Sequence, residues 1–175
     1  MLKNARLACL ALAGLMLVLL TATPWEAQAQ DVEYLGSNRD WHAFQYMENG
    51  NPVCYIASKP TSEEGNYTSR GDVFLLVTHR PGENSTNVVS ILTGYTYESG
   101  SEVEVTIGNR TFSLFTDQDT AWATDEDDQA LIEAMKAGTD MVVRGTSSRG
   151  TLTTDTYSLL GFTASHEQIN QACGV

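Results

Sequence analysis

The sequence predicts a mainly β domain of the sandwich or barrel class, with one internal α-helix and a short C-terminal helix. Short runs of apolar and aromatic residues recur between residues 41 and 159, and turn-forming residues separate these runs. One stretch in the second half of the chain changes to clear helical spacing. Many short strands at regular spacing, with turn signals between them, are typical of sandwiches and barrels.

The first half of the chain is predicted to contain four strands. Residues 31–40 are polar and have no clear period, so we interpret them as an irregular segment that leads into the domain. The predicted strands are Trp41–Met47, Val53–Ala57, Val73–Thr78 and Val88–Leu92. The segments between them are the turn Glu48–Asn51, the polar loop Thr61–Ser69 and the break Pro81–Asn84. Pro, Gly and Asn in these segments favour turns over continued strand.

A β-hairpin is the clearest local prediction. Polar and apolar residues alternate strictly over Glu102–Ile107, which is the pattern of a strand with one solvated face. The pair Gly108-Asn109 then separates this run from a second one, Arg110–Phe115. Two such runs joined by a two-residue Gly-Asn link predict an antiparallel hairpin.

One internal helix is predicted between Thr124 and Gly138. Thr124 or Asp125 can cap it, and Glu126, Asp127 and Asp128 occupy the first turn, where the helix dipole favours anions. Three apolar residues at helical spacing form one face, Lys136 lies in the last turn, and Gly138 ends the helix. The apolar residues are Leu131, Ile132 and Met135.

The last forty residues predict two strands and a terminal helix. Met141–Arg144 and Leu152–Leu159 are interpreted as strands around the turn Ser147–Gly150. Ser165–Ala172 is interpreted as a short C-terminal helix, which Cys173 would dock onto the domain.

Residues 1–29 are predicted to be a secretory signal peptide. Lys3 and Arg6 precede the apolar stretch Leu7–Leu20, and Ala27–Ala29 supplies the small-x-small pattern that a signal peptidase cleaves. A retained membrane anchor is the alternative interpretation, although the apolar stretch is short for a membrane span. Residues 30–175 are then one exported domain, periplasmic, secreted or at the cell surface, with no stable membrane insertion after cleavage.

The charge of the chain excludes one class of partner. The chain has 10 basic and 22 acidic residues, a net charge of −12. Removal of Lys3, Arg6 and Glu26 with the signal leaves 8 basic and 21 acidic residues, a net charge of −13. Nucleic-acid binding depends on the neutralisation of phosphates by Lys and Arg, so no nucleic-acid partner is predicted.

Two cysteines remain after removal of Cys9 with the signal. An exported domain matures in an oxidising compartment, where two thiols in a small domain usually pair, so a disulfide between Cys54 and Cys173 is predicted. Free thiols or an intermolecular bridge are the alternatives. Neither cysteine lies in a C-x-x-C motif, which argues against a redox-active role.

A series of short motifs occurs along residues 38–174. The motifs are Cys54–Pro60, Arg70-Gly71, Val77–Pro81, Gly94-Tyr95, Leu114–Thr116, Ala121-Trp122, Ala134–Gly138, Ser147–Thr151, Asp155–Leu159 and Ala172-Cys173. Together they resemble the invasion-associated locus B family of α-proteobacterial exported proteins. The resemblance implies an immunoglobulin-like β-sandwich in the periplasm or at the cell surface. In pathogenic members it also implies a link to the invasion of host cells. It supplies no catalytic residues.

A serine hydrolase is the alternative of a different class. Such an enzyme needs a nucleophile, a histidine and an orienting acid, and Ser147 or Ser148 with His79 and Asp155 is the set that this sequence offers. The competing interpretation of the two serines is a polar hairpin turn. The pair His166-Glu167 begins like a zinc-protease helix, but Asn170 stands where the second histidine is needed.

Two further motifs have structural interpretations beside functional ones. The acidic residues between Asp117 and Asp128 could hold a calcium ion, but their spacing lacks the Gly and Glu of an EF-hand loop, and helix capping explains the last of them. Arg70-Gly71-Asp72 spells a tripeptide that many integrins bind. The glycine also has a backbone reason to lie where a loop becomes a strand.

The sequence as a whole favours a non-catalytic exported protein that binds a protein or a cell-envelope component. No catalytic residue, cofactor or metal is assigned, and the disulfide Cys54–Cys173 is the one site that is predicted. The small serine hydrolase and a structural envelope protein without a small ligand are the alternatives. Tyr and Trp side chains are most often core residues, but three or more exposed on one face would indicate a binding surface.

Overall fold

Strands dominate residues 31–175, the part of the chain that the computed structural model describes. The predicted signal peptide, residues 1–29, lies outside the described residues. The eleven strands are β1 Glu33–Asn38, β2 Trp41–Glu48, β3 Asn51–Ser58, β4 Ser62–Gly65, β5 Phe74–Arg80, β6 Ser85–Leu92, β7 Glu102–Ile107, β8 Arg110–Asp117, β9 Thr120–Trp122, β10 Asp140–Thr146 and β11 Leu152–Ser158. The two α-helices are α1 Asp125–Ala137 and α2 Phe162–Cys173, and a short 3-10 turn covers Pro81–Glu83.

All eleven strands join one antiparallel sheet in the order β1-β2-β3-β5-β6-β9-β8-β7-β10-β11-β4. The prediction of a mainly β chain with an internal and a C-terminal helix is confirmed. The two separate sheets of a sandwich are replaced by one continuous ladder, because the three-residue strand β9 bridges β6 to β8.

The sheet curls strongly on itself. Strands β3 and β4 hold the third and last positions in the sheet, which in a flat sheet would lie about 38 Å apart. Only Lys59, Pro60 and Thr61 connect them, a distance of about 14 Å at full extension. Trp41 at the start of β2 also donates its indole N–H to the carbonyl of Ser158 at the end of β11, at 3.0 Å. The two halves of the sheet therefore face each other across the core.

The predicted hairpin of β7 and β8 forms, and the turn predicted between β2 and β3 also joins paired strands. Ile107 pairs with Arg110 across Gly108-Asn109, and Gly108 has the positive φ of +58° that this tight turn requires. Glu48 pairs with Asn51 in the hairpin of β2 and β3. The remaining predicted strands are also present, with ends that differ by a few residues.

Three strands lie where the sequence predicted none. Strand β1 lies in the segment interpreted as irregular, and β4 lies in the segment interpreted as a loop. Both are edge strands, so they need no apolar periodicity to pair on one side. The third, β9, has three residues, which is too short to show a period.

A disulfide bond and aromatic packing hold helix α2 against the sheet. The predicted disulfide between Cys54 on β3 and Cys173 at the end of α2 is present, with the two Cα atoms 5.9 Å apart. The helix begins three residues before the predicted start, because Phe162 packs edge-on against Trp41 with ring centroids 5.0 Å apart. Within the described residues, no helix has the length and apolar character to cross a membrane.

Candidate functional site

The residues of the alternative hydrolase set bond other groups and not one another. His79 lies buried on β5, where its Nδ1 accepts the backbone N–H of Asn87 at 2.9 Å. Its Nε2 is therefore the protonated nitrogen and donates to the side-chain oxygen of Asn170 at 2.8 Å. Both ring nitrogens are used, so neither is directed at a serine hydroxyl.

Asp155 and Ser147, two other members of the set, also form hydrogen bonds with residues outside it. The Asp155 carboxylate accepts two hydrogen bonds of 2.6 Å from the guanidinium of Arg70. The hydroxyl of Ser147 accepts the backbone N–H of Thr151 within the turn between β10 and β11. The polar-turn interpretation of Ser147 and Ser148 is the one that fits this geometry.

The integrin tripeptide and the acidic cluster also have structural roles. Arg70 has 3 % of its side chain exposed, and Asp72 pairs with Lys59 at 2.9 Å, so the Arg side chain is not presented to a partner. Thr124 and Asp127 bond each other at the start of α1. Among residues 31–175, no group of three or more His, Cys, Asp or Glu side chains is arranged to hold a metal ion.

A buried network around two histidines joins β5, β6 and α2. His166 on α2 bonds the side-chain oxygen of Asn87 at 2.8 Å, and its ring centroid lies 5.5 Å from that of His79. Asn170 bonds Nδ1 of His166 at 3.3 Å as well as His79. Burial first, and the positive charge of Lys136 second, lower the pKa of His166 to about 4. The network keeps both imidazoles neutral and has no free ring nitrogen for catalysis.

Asp128 docks helix α1 onto the sheet. Its carboxylate turns inward and accepts the backbone N–H of Val89 on β6 at 3.0 Å, although the sequence suggested a helix-capping role. Burial is the largest cause that raises the pKa of Asp128, to about 6. This side chain therefore ionises at a cost in the folded state.

The raised pKa of Asp128 predicts a pH-dependent effect of Asp128→Asn. The amide keeps an oxygen for Val89 but cannot ionise, so we expect the variant to be more stable than the wild type by about 2–3 kcal/mol at pH 7. The stability advantage of the variant should shrink as the pH falls from 6 to 4, because the wild-type carboxyl then binds a proton more readily in the folded state than in the unfolded state. Urea denaturation at pH 4, 5, 6 and 7 measures the difference.

A matched control is Glu133→Gln, an exposed position on the same helix. Its effect should stay within about 0.5 kcal/mol at each pH. The pH dependence of the wild type alone does not isolate the effect of Asp128. The lowered pKa of His166 makes the contribution of His166 to stability fall as the pH drops from 6.5 toward 4, whereas the contribution of Asp128 rises as the pH drops. A stability difference for Asp128→Asn that does not vary with pH would contradict the buried-carboxylate account.

Four aromatic side chains form a continuous outward row across β1, β2 and β3, which we name the aromatic face: Tyr34, Phe44, Tyr46 and Tyr55. Phe44 stacks on Tyr55 with ring centroids 5.0 Å apart, Tyr34 lies 5.4 Å from Phe44, and Tyr46 meets Tyr55 edge-on at 6.3 Å. Tyr34 is 54 % exposed and the other three are half-buried.

The register of the strands places this row on the side away from the core. Tyr34 pairs with Phe44, and Phe44 pairs with Tyr55, so the three side chains lie in line across neighbouring strands. Their neighbours Trp41, Ala43 and Ile56 point inward and are fully buried. Aromatic rings that lie outside a core expose apolar surface to water, which is unfavourable. Such rows are typical of contact surfaces, because each ring can bury a large area against a partner.

A groove of about 540 Å³ continues the aromatic face toward the end of β3. His42, Phe44, Pro60 and Phe74 line it, together with Lys59, whose ammonium lies 4.9 Å from the centre of the Phe74 ring. Arg80 donates to the hydroxyl of Tyr46 and pairs with Glu48 at the other side of the face. The aromatic surface thus has a charged and polar rim.

A second candidate site is a cleft of about 680 Å³ at one end of the curled sheet, which we name the Arg70 cleft. Three parts of the chain line it: residues 66–71 after β4, residues 94–96 after β6, and Ser147, Ser148, Arg149, Thr151 and Thr153 in and beside the turn between β10 and β11. The guanidinium of Arg70 lies 5.1 Å from the ring centre of Tyr95 and 5.7 Å from that of Tyr67. The buried pair with Asp155 holds Arg70 in this place.

Sequence reasoning missed both surfaces as units. For the aromatic face a signal was present, because His42, Phe44 and Tyr46 alternate with the apolar residues that point inward on β2. The position of Tyr55 follows from the pairing of β2 with β3, but that of Tyr34 depends on the pairing of β1, which was not predicted. The Arg70–Asp155 pair joins residues far apart in the chain, so no local sequence pattern predicts it.

Comparison with known proteins gives a family and a fold. A family model described as invasion associated locus B (IalB) protein matches residues 41–170, well over half of the chain. The crystal structure of invasion associated protein B from Bartonella henselae is similar at a TM-score of 0.54 and 15 % sequence identity, over 82 % of this chain and 96 % of that one. No curated protein matches the chain significantly.

Proposed function

The chain belongs to the invasion associated locus B family, and on this basis we propose that it is an exported, non-catalytic protein that binds a macromolecular partner through its aromatic face. The partner is a protein or a component of the cell envelope. The chain acts in the periplasm or at the cell surface after removal of residues 1–29. In this proposal, the invasion of host cells is a role only where the organism is a pathogen.

The aromatic face is the observation that carries the proposal. Tyr34, Phe44, Tyr46 and Tyr55 are four adjacent rings on the outside of a folded sheet. Tyrosine and phenylalanine are enriched at protein interfaces, since they give a large contact area for few rotatable bonds. A polar rim around an aromatic centre, here supplied by Arg80 and Glu48, is also the usual anatomy of a recognition surface.

The architecture and the chemistry support a binding role. The curled sheet leaves an outer face and strand edges for contact, which are the surfaces that β-sandwich domains use for binding. The disulfide Cys54–Cys173 fits an oxidising compartment outside the cytoplasm. The engagement of His79, Asp155 and Ser147 in bonds with other residues argues against the hydrolase alternative.

Loss of the aromatic face should remove partner capture. We expect the double variant Tyr34→Thr with Phe44→Thr to lose at least ten-fold in recovery of a crosslinked partner from the envelope fraction of the native organism. Threonine keeps a β-branched side chain in each strand, so the sheet should still form. Quantitative mass spectrometry of the crosslinked material measures the recovery.

The matched control is Phe115→Thr with Leu152→Thr, which removes two side chains that are 50 % and 58 % exposed in other parts of the sheet. This control should recover the partner as the wild type does. Equal recovery by both double variants would refute a role of the aromatic face, and recovery of no partner by the wild type would favour the structural envelope protein.

A further inference from the structure

We propose that the Arg70 cleft is a binding site for a neutral oligosaccharide. This inference concerns a surface separate from the aromatic face, and it goes beyond the proposed function. Four features of the cleft support it: the chemistry of its lining, its rigidity, its charge and its shape.

Hydroxyl and amide groups dominate the lining of the cleft, and they surround two tyrosine rings. The solvent-accessible polar residues are Asn66, Thr68, Ser69, Thr96, Ser148 and Thr151, and Ser147 and Thr153 line the cleft from buried positions. Such groups both donate and accept hydrogen bonds, as the hydroxyls of a sugar do. Tyr67, which is 36 % exposed, and the half-buried Tyr95 offer ring surface to the C–H face of a pyranose. This combination suits a polyhydroxylated ligand better than an apolar one.

Backbone contacts hold the walls of the cleft in place. The N–H of Gly71 donates to the carbonyl of Gly94 at 3.0 Å, and the N–H of Ser148 donates to the carbonyl of Thr96 at 2.8 Å. Gly94 has a φ of +71°, and a Cβ at this position would collide with the backbone of Gly71. The close approach of these segments therefore requires glycine. A preformed cleft lowers the cost of ordering residues when a ligand binds.

The floor of the cleft is held by a buried ion pair. Arg70 directs two donors at Asp155 and two more at the carbonyl and hydroxyl of Thr93, at 2.6 to 2.8 Å. Tyr95 is fixed in turn, because its hydroxyl bonds that of Thr153 at 2.7 Å. A buried ion pair adds little net stability compared with apolar residues of the same size. Its contribution here is to fix the position of the two tyrosines.

The charge around the cleft favours a neutral ligand. Arg70 directs four of its five N–H donors at Asp155 and Thr93, and a Glu63 carboxylate oxygen lies 3.6 Å from its Nη1, so this buried cation is already neutralised by carboxylates of the chain. A groove of about 440 Å³ shares Gly71, Gly94, Tyr95 and Thr96 with the cleft, and extends it past the carboxylates of Asp72 and Asp119. Arg149 lines the cleft but not the groove. An anion would be attracted by Arg149 in the cleft and repelled by the two carboxylates in the groove, whereas a neutral chain of several sugar rings can occupy both.

Titration with defined saccharides tests this inference. The probes are the β-1,4-linked tetramers of glucose and of N-acetylglucosamine, the α-1,4-linked tetramer of glucose, and tetragalacturonate as the anionic counterpart. We expect at least one neutral tetramer to shift the amide NMR signals of Gly71, Gly94, Thr96 and Ser148 in ¹⁵N-labelled chain without the signal peptide. Tyr67→Ala should weaken this binding at least ten-fold, and Tyr34→Ala on the aromatic face should leave it unchanged.

Several outcomes would overturn the inference. These are no shift at 10 mM of each neutral tetramer, shifts confined to residues outside the cleft, and equal affinity of the wild type and Tyr67→Ala. Tighter binding of tetragalacturonate than of the neutral tetramers would contradict the neutral-ligand assignment. The NMR spectrum of each variant, recorded without ligand, shows whether the variant is folded, so loss of binding is not confused with unfolding.

Discussion

Replacement of both Cys54 and Cys173 by alanine is expected to destabilise the folded chain by about 4–5 kcal/mol. The disulfide joins residues separated by 119 positions, so it removes a large loop-closure entropy from the unfolded chain. It also anchors α2 against β3, beside the network of His79 and His166. Urea denaturation of the wild type and the double variant measures the loss.

Reduction supplies the control for this prediction. A thiol reductant should destabilise the wild type by a similar amount and leave the double-alanine variant unaffected. If the variant unfolds entirely, the wild type titrated with urea at increasing reductant still reports the contribution of the disulfide. A variant within about 1 kcal/mol of the wild type would show that the loop closure contributes far less than chain entropy predicts.

Removal of one partner of the buried ion pair is the second large effect. Asp155→Ala should cost about 3–5 kcal/mol, because it leaves the guanidinium of Arg70 buried without its counter-charge. The two side chains are 3 % and 2 % exposed and lie 2.6 Å apart. The free energy of unfolding in urea is the measurement, and the amide NMR spectrum should change around the Arg70 cleft.

Two further variants separate burial from charge. Asp72→Ala removes a partner of the exposed pair with Lys59, whose side chains are 62 % and 74 % exposed, and should cost no more than about 1 kcal/mol. The double variant Arg70→Met with Asp155→Leu should be less destabilised than Asp155→Ala, since it leaves no unpaired charge. Equal costs for Asp155→Ala and Asp72→Ala would contradict the burial argument.

The parts of the fold that were predictable from sequence are those with local signals. The hairpin of β7 and β8 follows from strict alternation and the Gly108-Asn109 turn, and α1 follows from apolar spacing between an acidic first turn and Gly138. The edge strand β4 has the sequence Ser-Glu-Glu-Gly, and all four of its residues are exposed. It forms because β11 offers an unpaired edge, which is information that its own residues do not contain.

The single curled sheet and the candidate sites depend on contacts between distant residues. Arg70 and Asp155 are 85 positions apart, and the aromatic face needs the register of β1 on β2. The role of Asp128 illustrates the same limit, because four acidic residues at a helix start all look like capping residues. Only the packing of α1 on β6 selects Asp128 as the one that turns inward.

Site-specific photo-crosslinking in living cells of the native organism tests the proposed binding surface most directly. A photoreactive phenylalanine is placed at Phe44 on the aromatic face, and in a second strain at Phe115, which is 50 % exposed on β8. We expect irradiation to join a discrete partner to the chain at position 44 and not at position 115. Adducts of equal yield at both positions, or none at either, would contradict the assignment of the aromatic face as the contact surface.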